Sequence, residues 1–155
     1  AGGFVAGMLS GATFAFVESI TALAADSSAS WLTIAGVRAA TALLHIASAG
    51  LMGWALTSSW IDGKYARIGL TYAGVVLVHG IWNFLAVIEG FSAIPGVAGT
   101  SVIPSQTSFA PWIMALLAVG LLALLVIMNI NLKKNYRLPS LPPQLPPTLP
   151  QETIK

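Results

Sequence analysis

The stretch that decides the fold runs from residue 109 to residue 132 and reads FAPWIMALLAVGLLALLVIMNINL. It contains no charged side chain, and it exceeds the roughly 20 apolar residues that a helix needs to cross the hydrocarbon core of a bilayer. Three further predominantly apolar stretches of similar length lie at about residues 3–25, 31–58 and 68–89. The whole chain is 56% hydrophobic and 8% charged, whereas a soluble domain carries about 25% charged residues. We therefore predict an all-α membrane protein with about four transmembrane helices.

The cationic residues predict how these helices are oriented. Lys64 and Arg67 lie between the second and third helices, and a second cationic group follows the fourth helix at Lys133, Lys134 and Arg137. The helix count places both groups on one side of the membrane, and the positive-inside rule makes that side cytoplasmic. The connections on the other side, at residues 26–28 and 90–108, contain no Lys or Arg. We expect an integral protein of the bacterial plasma membrane with both ends of this chain in the cytoplasm.

Residues 1–132 form the predicted bundle, and residues 133–155 form a tail that is first basic and then proline-rich. The density of proline from Leu138 to Pro150 excludes helix and sheet ladders and favours extended polyproline II. Such a tail is ordinarily solvated, but here we predict that a partner surface holds it. The net charge of +2 is too small to indicate a nucleic-acid partner. The absence of cysteine excludes disulfides and thiolate metal ligands from the chain.

Four ionisable residues lie well inside the predicted spans, at Glu18, Arg38, His45 and His79. A charge within a bilayer is costly, so such residues are usually paired or functional. The alternating helix directions and a rise of about 1.5 Å per residue bring Glu18, His45 and His79 into roughly one layer, with Arg38 about 10 Å outward of His45. Two imidazoles and one carboxylate are a sufficient ligand set for catalytic zinc. Asn83, one turn after His79, is placed to orient a water or a substrate.

A packing interpretation accounts for the same residues without a metal. Glu18 and Arg38 form an intramembrane ion pair in this alternative, and each histidine bonds to a backbone carbonyl or a hydroxyl group. Both interpretations stay open at the level of the sequence.

Small residues predict which helices are neighbours. Gly3, Gly7 and Gly11 are spaced by four, and Ala49 and Gly53 give a looser version of this pattern in the second helix. Small residues at this spacing let two helices approach closely. We therefore predict that the first and second helices pack against each other.

Three motifs lie in order on the first three predicted helices, at the positions Phe14, Glu18, Arg38, His45, His79 and Asn83. They resemble the PrsW family of intramembrane metalloproteases, which carries F-x-x-x-E, an arginine followed by a histidine, and H-x-x-x-D. Asn83 replaces the aspartate of the last motif, which is similar to the related CAAX-processing membrane proteases. The resemblance covers about residues 3–90. It implies a metal on Glu18, His45 and His79, assistance from Asn83 and Arg38, and a membrane-anchored peptide as substrate.

The same family carries an earlier helix with the pattern E-E-x-x-K, which supplies the general base, and no segment of this sequence matches it. Two alternatives follow. The chain is part of a protease whose first helices precede Ala1, or it is a non-catalytic relative that serves as a scaffold subunit of a larger membrane complex. A small transporter is a third class, because intramembrane His and Glu residues serve proton relays. However, the sequence shows no internal repeat of the kind that transporters commonly have.

Overall fold

Long uninterrupted apolar runs produce long helices in a computed structural model, which describes residues 1–23, 31–92 and 109–134. These ranges contain helices and no strand. The helices are α1 (Gly2–Leu23), α2 (Trp31–Asp62), α3 (Ala66–Ser92) and α4 (Ala110–Lys134). Each is long and apolar enough to cross a membrane. The predicted all-α architecture with four candidate membrane-spanning helices is thereby confirmed.

The turn between α2 and α3 is shorter than the connection between the predicted stretches 31–58 and 68–89. α2 continues to Asp62 and α3 begins at Ala66, so the turn comprises residues 63–65. Gly63 follows the last residue of α2 with a φ of 70°, a left-handed conformation that glycine adopts without steric cost. The helices extend beyond the apolar stretches because backbone hydrogen bonding does not depend on apolar side chains.

α2 is the central helix of the bundle. α1 packs against α2, whereas α3 and α4 pack against α2 and against each other. The buried contact between these last three helices is formed by Leu44, Ala47, Trp82 and Leu121. Large apolar side chains cover the outward faces of all four helices. This distribution suits a bundle whose solvent is lipid rather than water.

Glycines set the close approach of α1 and α2. A Cβ added to Gly7 would overlap the carbonyl oxygen of Ala49, and one added to Gly11 would overlap that of His45. Gly3 repeats this contact one turn earlier on α1. From one glycine to the next, the residue number rises by four along α1, while the number of the contacted residue falls by four along α2. The two helices are therefore antiparallel. The predicted packing of these two helices through small residues is confirmed.

Some predictions fall outside the described residues. They are the polar turn at residues 26–28, most of the long connection at 90–108, and the proline-rich tail with its predicted partner. The start of that connection belongs to α3, which ends at Ser92. Lys133 and Lys134, assigned to the tail from the sequence, are the last residues of α4.

Candidate functional site

A hydrogen bond between α1 and α2 forms the centre of the site. The Nε2 atom of His45 lies 2.9 Å from the Oε2 atom of Glu18, so the imidazole donates to the carboxylate. Gly11 faces the backbone of His45, which places Glu18 about 10 Å further along α1. Helical side chains lean toward the N-terminus of their own helix. Since α1 and α2 are antiparallel, these two side chains lean toward each other and close this gap.

Two further rings contact His45. The ring of His79 on α3 has its centroid 5.1 Å from that of His45, with the planes tilted by 55°. The ring of Phe14 on α1 meets His45 edge-on, with centroids 4.8 Å apart. The structure therefore brings Glu18, His45 and His79 together from three helices. We call these three residues the Glu–His cluster.

Arg38 does not pair with Glu18. Among the described residues, the Glu18 carboxylate is hydrogen-bonded to His45, and Arg67 forms an ion pair with Asp62. Arg38 instead lines a groove along the seam of α1 and α2, to which no member of the Glu–His cluster contributes. The packing alternative is therefore wrong in its choice of partner for Glu18. An assisting role for Arg38 in catalysis stays a prediction.

Two polar side chains in or next to the cluster are exposed. The side chain of Glu18 is 39% exposed, whereas that of His45 is 10% exposed. Asn83 lies exposed on α3, one turn beyond the half-buried His79. Polar groups of a spanning helix that face hydrocarbon are costly unless another molecule satisfies them. We call Glu18, His79 and Asn83 the open polar face.

The donor set of the cluster suits a divalent metal. Carboxylate oxygen and imidazole nitrogen are typical zinc ligands, and two imidazoles on one tetrahedral zinc have ring centroids about 5 Å apart. The spacing of His45 and His79 is of this size. In the present arrangement, Glu18 and His45 are hydrogen-bonded to each other. The part of the chain that the structure describes contains no group of three His, Asp or Glu residues already arranged around a metal position. Metal binding by these residues stays a prediction.

Two contributors to the site have no chemical role that the sequence reveals. Phe14 stands out only through the family resemblance, although its position one turn before Glu18 places it on the same face of α1. Gly11 is identified as a packing residue, and its contact with the backbone of His45 is what sets the level of the cluster. The signal for this link is the helical spacing from Gly11 to Glu18, which keeps both on the side of α1 that meets α2.

Comparison with known proteins finds no match to this chain among family models, curated proteins or solved structures. The resemblance to the PrsW family therefore depends on the motif residues alone.

Proposed function

We propose that the chain carries the metal site of a PrsW-like intramembrane metalloprotease, with Glu18, His45 and His79 as the protein ligands. One observation carries the proposal. Three residues that are far apart in sequence, each on its own candidate membrane-spanning helix, form one polar cluster. Polar clusters within membrane-spanning helices are costly and usually serve binding or chemistry.

The residues of the proposed site have different roles. Glu18, His45 and His79 provide the donor atoms, and Phe14 shields one edge of the His45 ring. Asn83 is available to orient a water or the peptide carbonyl at the open polar face. A zinc ion, when bound, supplies a Lewis acid that activates water for attack on a peptide bond. The substrate class that fits this depth is a membrane-anchored peptide.

Metal retention by single variants tests this proposal. We expect about one zinc per chain in the wild-type protein purified in mild detergent, and almost none in His79→Ala, because a two-ligand site holds zinc poorly. Glu89→Gln is the matched control, since it changes a carboxylate of α3 outside the cluster and should keep the metal. Equal metal content in the wild-type and His79→Ala proteins would overturn the assignment.

Cleavage is a separate outcome from metal binding. Proton transfer by a general base typically contributes about 10²- to 10⁴-fold to a rate, and no described carboxylate other than Glu18 belongs to the cluster. We expect cleavage of a membrane-anchored peptide only where a base is supplied from outside the described residues. Zinc binding without cleavage by the intact natural protein would assign it to the non-catalytic relatives.

The open polar face favours a second candidate function, that of a non-catalytic scaffold subunit. Another membrane protein that covers Glu18 and Asn83 would satisfy their exposed polar atoms. In that case a stoichiometric membrane partner co-purifies with the wild-type chain in mild detergent, and Asn83→Leu releases it. Asn129→Leu is the control, because it removes an exposed amide from α4 instead. A monodisperse single chain in several mild detergents would contradict this candidate.

A further inference from the structure

We propose that a phospholipid binds along the seam of α1 and α2, with its phosphate on Arg38 and an acyl chain in the groove below it. The site is distinct from the Glu–His cluster and does not depend on metal binding or proteolysis. We call it the Arg38 groove. Its lining residues are Ala12, Ala15, Phe16, Ser19, Arg38, Ala39, Ala42 and Ile46.

The Arg38 groove is a shallow, open and mostly apolar depression along which an acyl chain can lie. Its alanines leave space between the two helices, and its volume is about 330 Å³. Ser19 and Arg38 mark one end, whereas Ala12 and Ile46 mark the other, about 11 Å away along the helix axes. Ala12 and Ile46 also line a second apolar groove, which continues between α1 and α4 as far as Asn129. The combined path follows the direction in which lipid chains lie.

The depth of Arg38 matches that of the lipid phosphates. Trp60 and Tyr65 are 75% and 59% exposed at the opposite end of the bundle, where exposed aromatic rings mark the interface with water. Arg38 is about 33 Å from Trp60 along α2. The hydrocarbon core is about 30 Å thick. Arg38 therefore lies at the other boundary of the core, in the leaflet away from Lys64 and Arg67.

The charge of Arg38 calls for an anion. A guanidinium group stays protonated, and the described carboxylates include no ion-pair partner for it. Its planar fork matches the oxygens of a phosphate, with two parallel charge-assisted hydrogen bonds. The Ser19 hydroxyl does not compete with Arg38 for the phosphate, because it donates to the carbonyl oxygen of Ala15 at 2.7 Å. A phospholipid supplies both the anion for Arg38 and the apolar chain for the groove.

The test is a lipid titration of the full chain. The delipidated protein in detergent is titrated with phosphatidylglycerol, and the bound fraction is measured by native mass spectrometry. Diacylglycerol with the same acyl chains is the probe that lacks the phosphate. We expect Arg38→Gln to weaken phosphatidylglycerol binding about tenfold or more, as for other hydrogen bonds between charged groups. We expect diacylglycerol to bind the wild-type protein no better than it binds this variant.

Two controls separate the groove from general charge and size effects. Lys64→Gln makes the same change of charge at the opposite end of the bundle and should bind lipid as the wild type does. Ala42→Leu fills the groove and should weaken binding, whereas Ala35→Leu adds the same volume to an exposed site on α2. Equal affinity of the wild-type and Arg38→Gln proteins for phosphatidylglycerol would overturn the proposal, as would equal affinity of the wild type for diacylglycerol. Helicity by circular dichroism verifies that each variant is folded.

Discussion

Replacing Gly7 by alanine should weaken the seam on which the Glu–His cluster depends. The added Cβ would overlap the carbonyl oxygen of Ala49, and it would lie 2.8 Å from the carbonyl carbon and 3.0 Å from the Cα of Gly50. Ordinary contacts of a Cβ begin near 3.4 Å, so α1 must move away by about 0.6 Å or more. A gap of this size forfeits about a quarter to a half of the dispersion energy of each affected contact.

We therefore expect Gly7→Ala to lower the free energy of unfolding by about 1–3 kcal/mol, the usual cost of overpacking. The assay is reversible unfolding in mixed detergent micelles, followed by far-UV circular dichroism. Gly36→Ala is the matched control, because a Cβ at Gly36 meets no atom within 4 Å and alanine is the better helix former. A Gly7→Ala protein as stable as the Gly36→Ala protein would refute the inferred register.

Three further predictions concern other parts of the bundle. Glu18→Ala removes the acceptor of the interhelical hydrogen bond and should lower the free energy of unfolding by about 1–3 kcal/mol. Glu18→Gln keeps a carbonyl acceptor and should lower it less in the same unfolding assay. Asp62→Asn breaks the partly exposed ion pair with Arg67 and should change the free energy of unfolding by less than about 1 kcal/mol. A larger loss would show that this turn stabilises the fold more than its exposure indicates. Because the chain has no natural cysteine, Lys64→Cys and Asp26→Cys report topology directly. An impermeant maleimide should label the two positions from opposite sides of the membrane, and labelling from one side would contradict the four-span topology.

The number of helices could be predicted because lipid imposes a simple rule on the sequence. A run of about 20 predominantly apolar residues has few structures available other than a spanning helix, even where it contains one charged residue. The ends of the helices could not be predicted in the same way. Hydropathy reports where apolar side chains end, whereas α2 continues through Trp60 and Asp62 until Gly63 adopts a left-handed conformation.

The sequence also predicts the members of the Glu–His cluster, but its estimate of depth places the backbone of Glu18 at the level of His45, whereas the glycine contacts place it about 10 Å further along α1. The partner of Glu18 could not be predicted. The register of the glycine seam places Glu18 nearly opposite Arg38, and a count along the helices favours that pair. The lean of side chains toward each helix N-terminus favours His45 instead. Arg38 and His45 differ as partners of Glu18 in the direction of their side chains. The spacing of residues in the sequence does not report that direction.

The open polar face illustrates a different limit. Periodicity assigns Asn83 to the same side of α3 as His79, but it does not indicate whether another helix covers that side. The structure adds that Asn83 and the Glu18 carboxylate are exposed, and both proposals place a further molecule there. That molecule is the substrate in the first proposal and a partner subunit in the second.

X-ray absorption at the zinc edge tests the central claim most directly. The claim predicts two imidazole ligands with Zn–N distances of about 2.0–2.1 Å, together with carboxylate or water oxygen, in the purified wild-type protein loaded with zinc. Loss of one imidazole in His79→Ala and of the other in His45→Ala would identify them. A spectrum with oxygen ligands alone, unchanged by either substitution, would show that the Glu–His cluster is not a metal site.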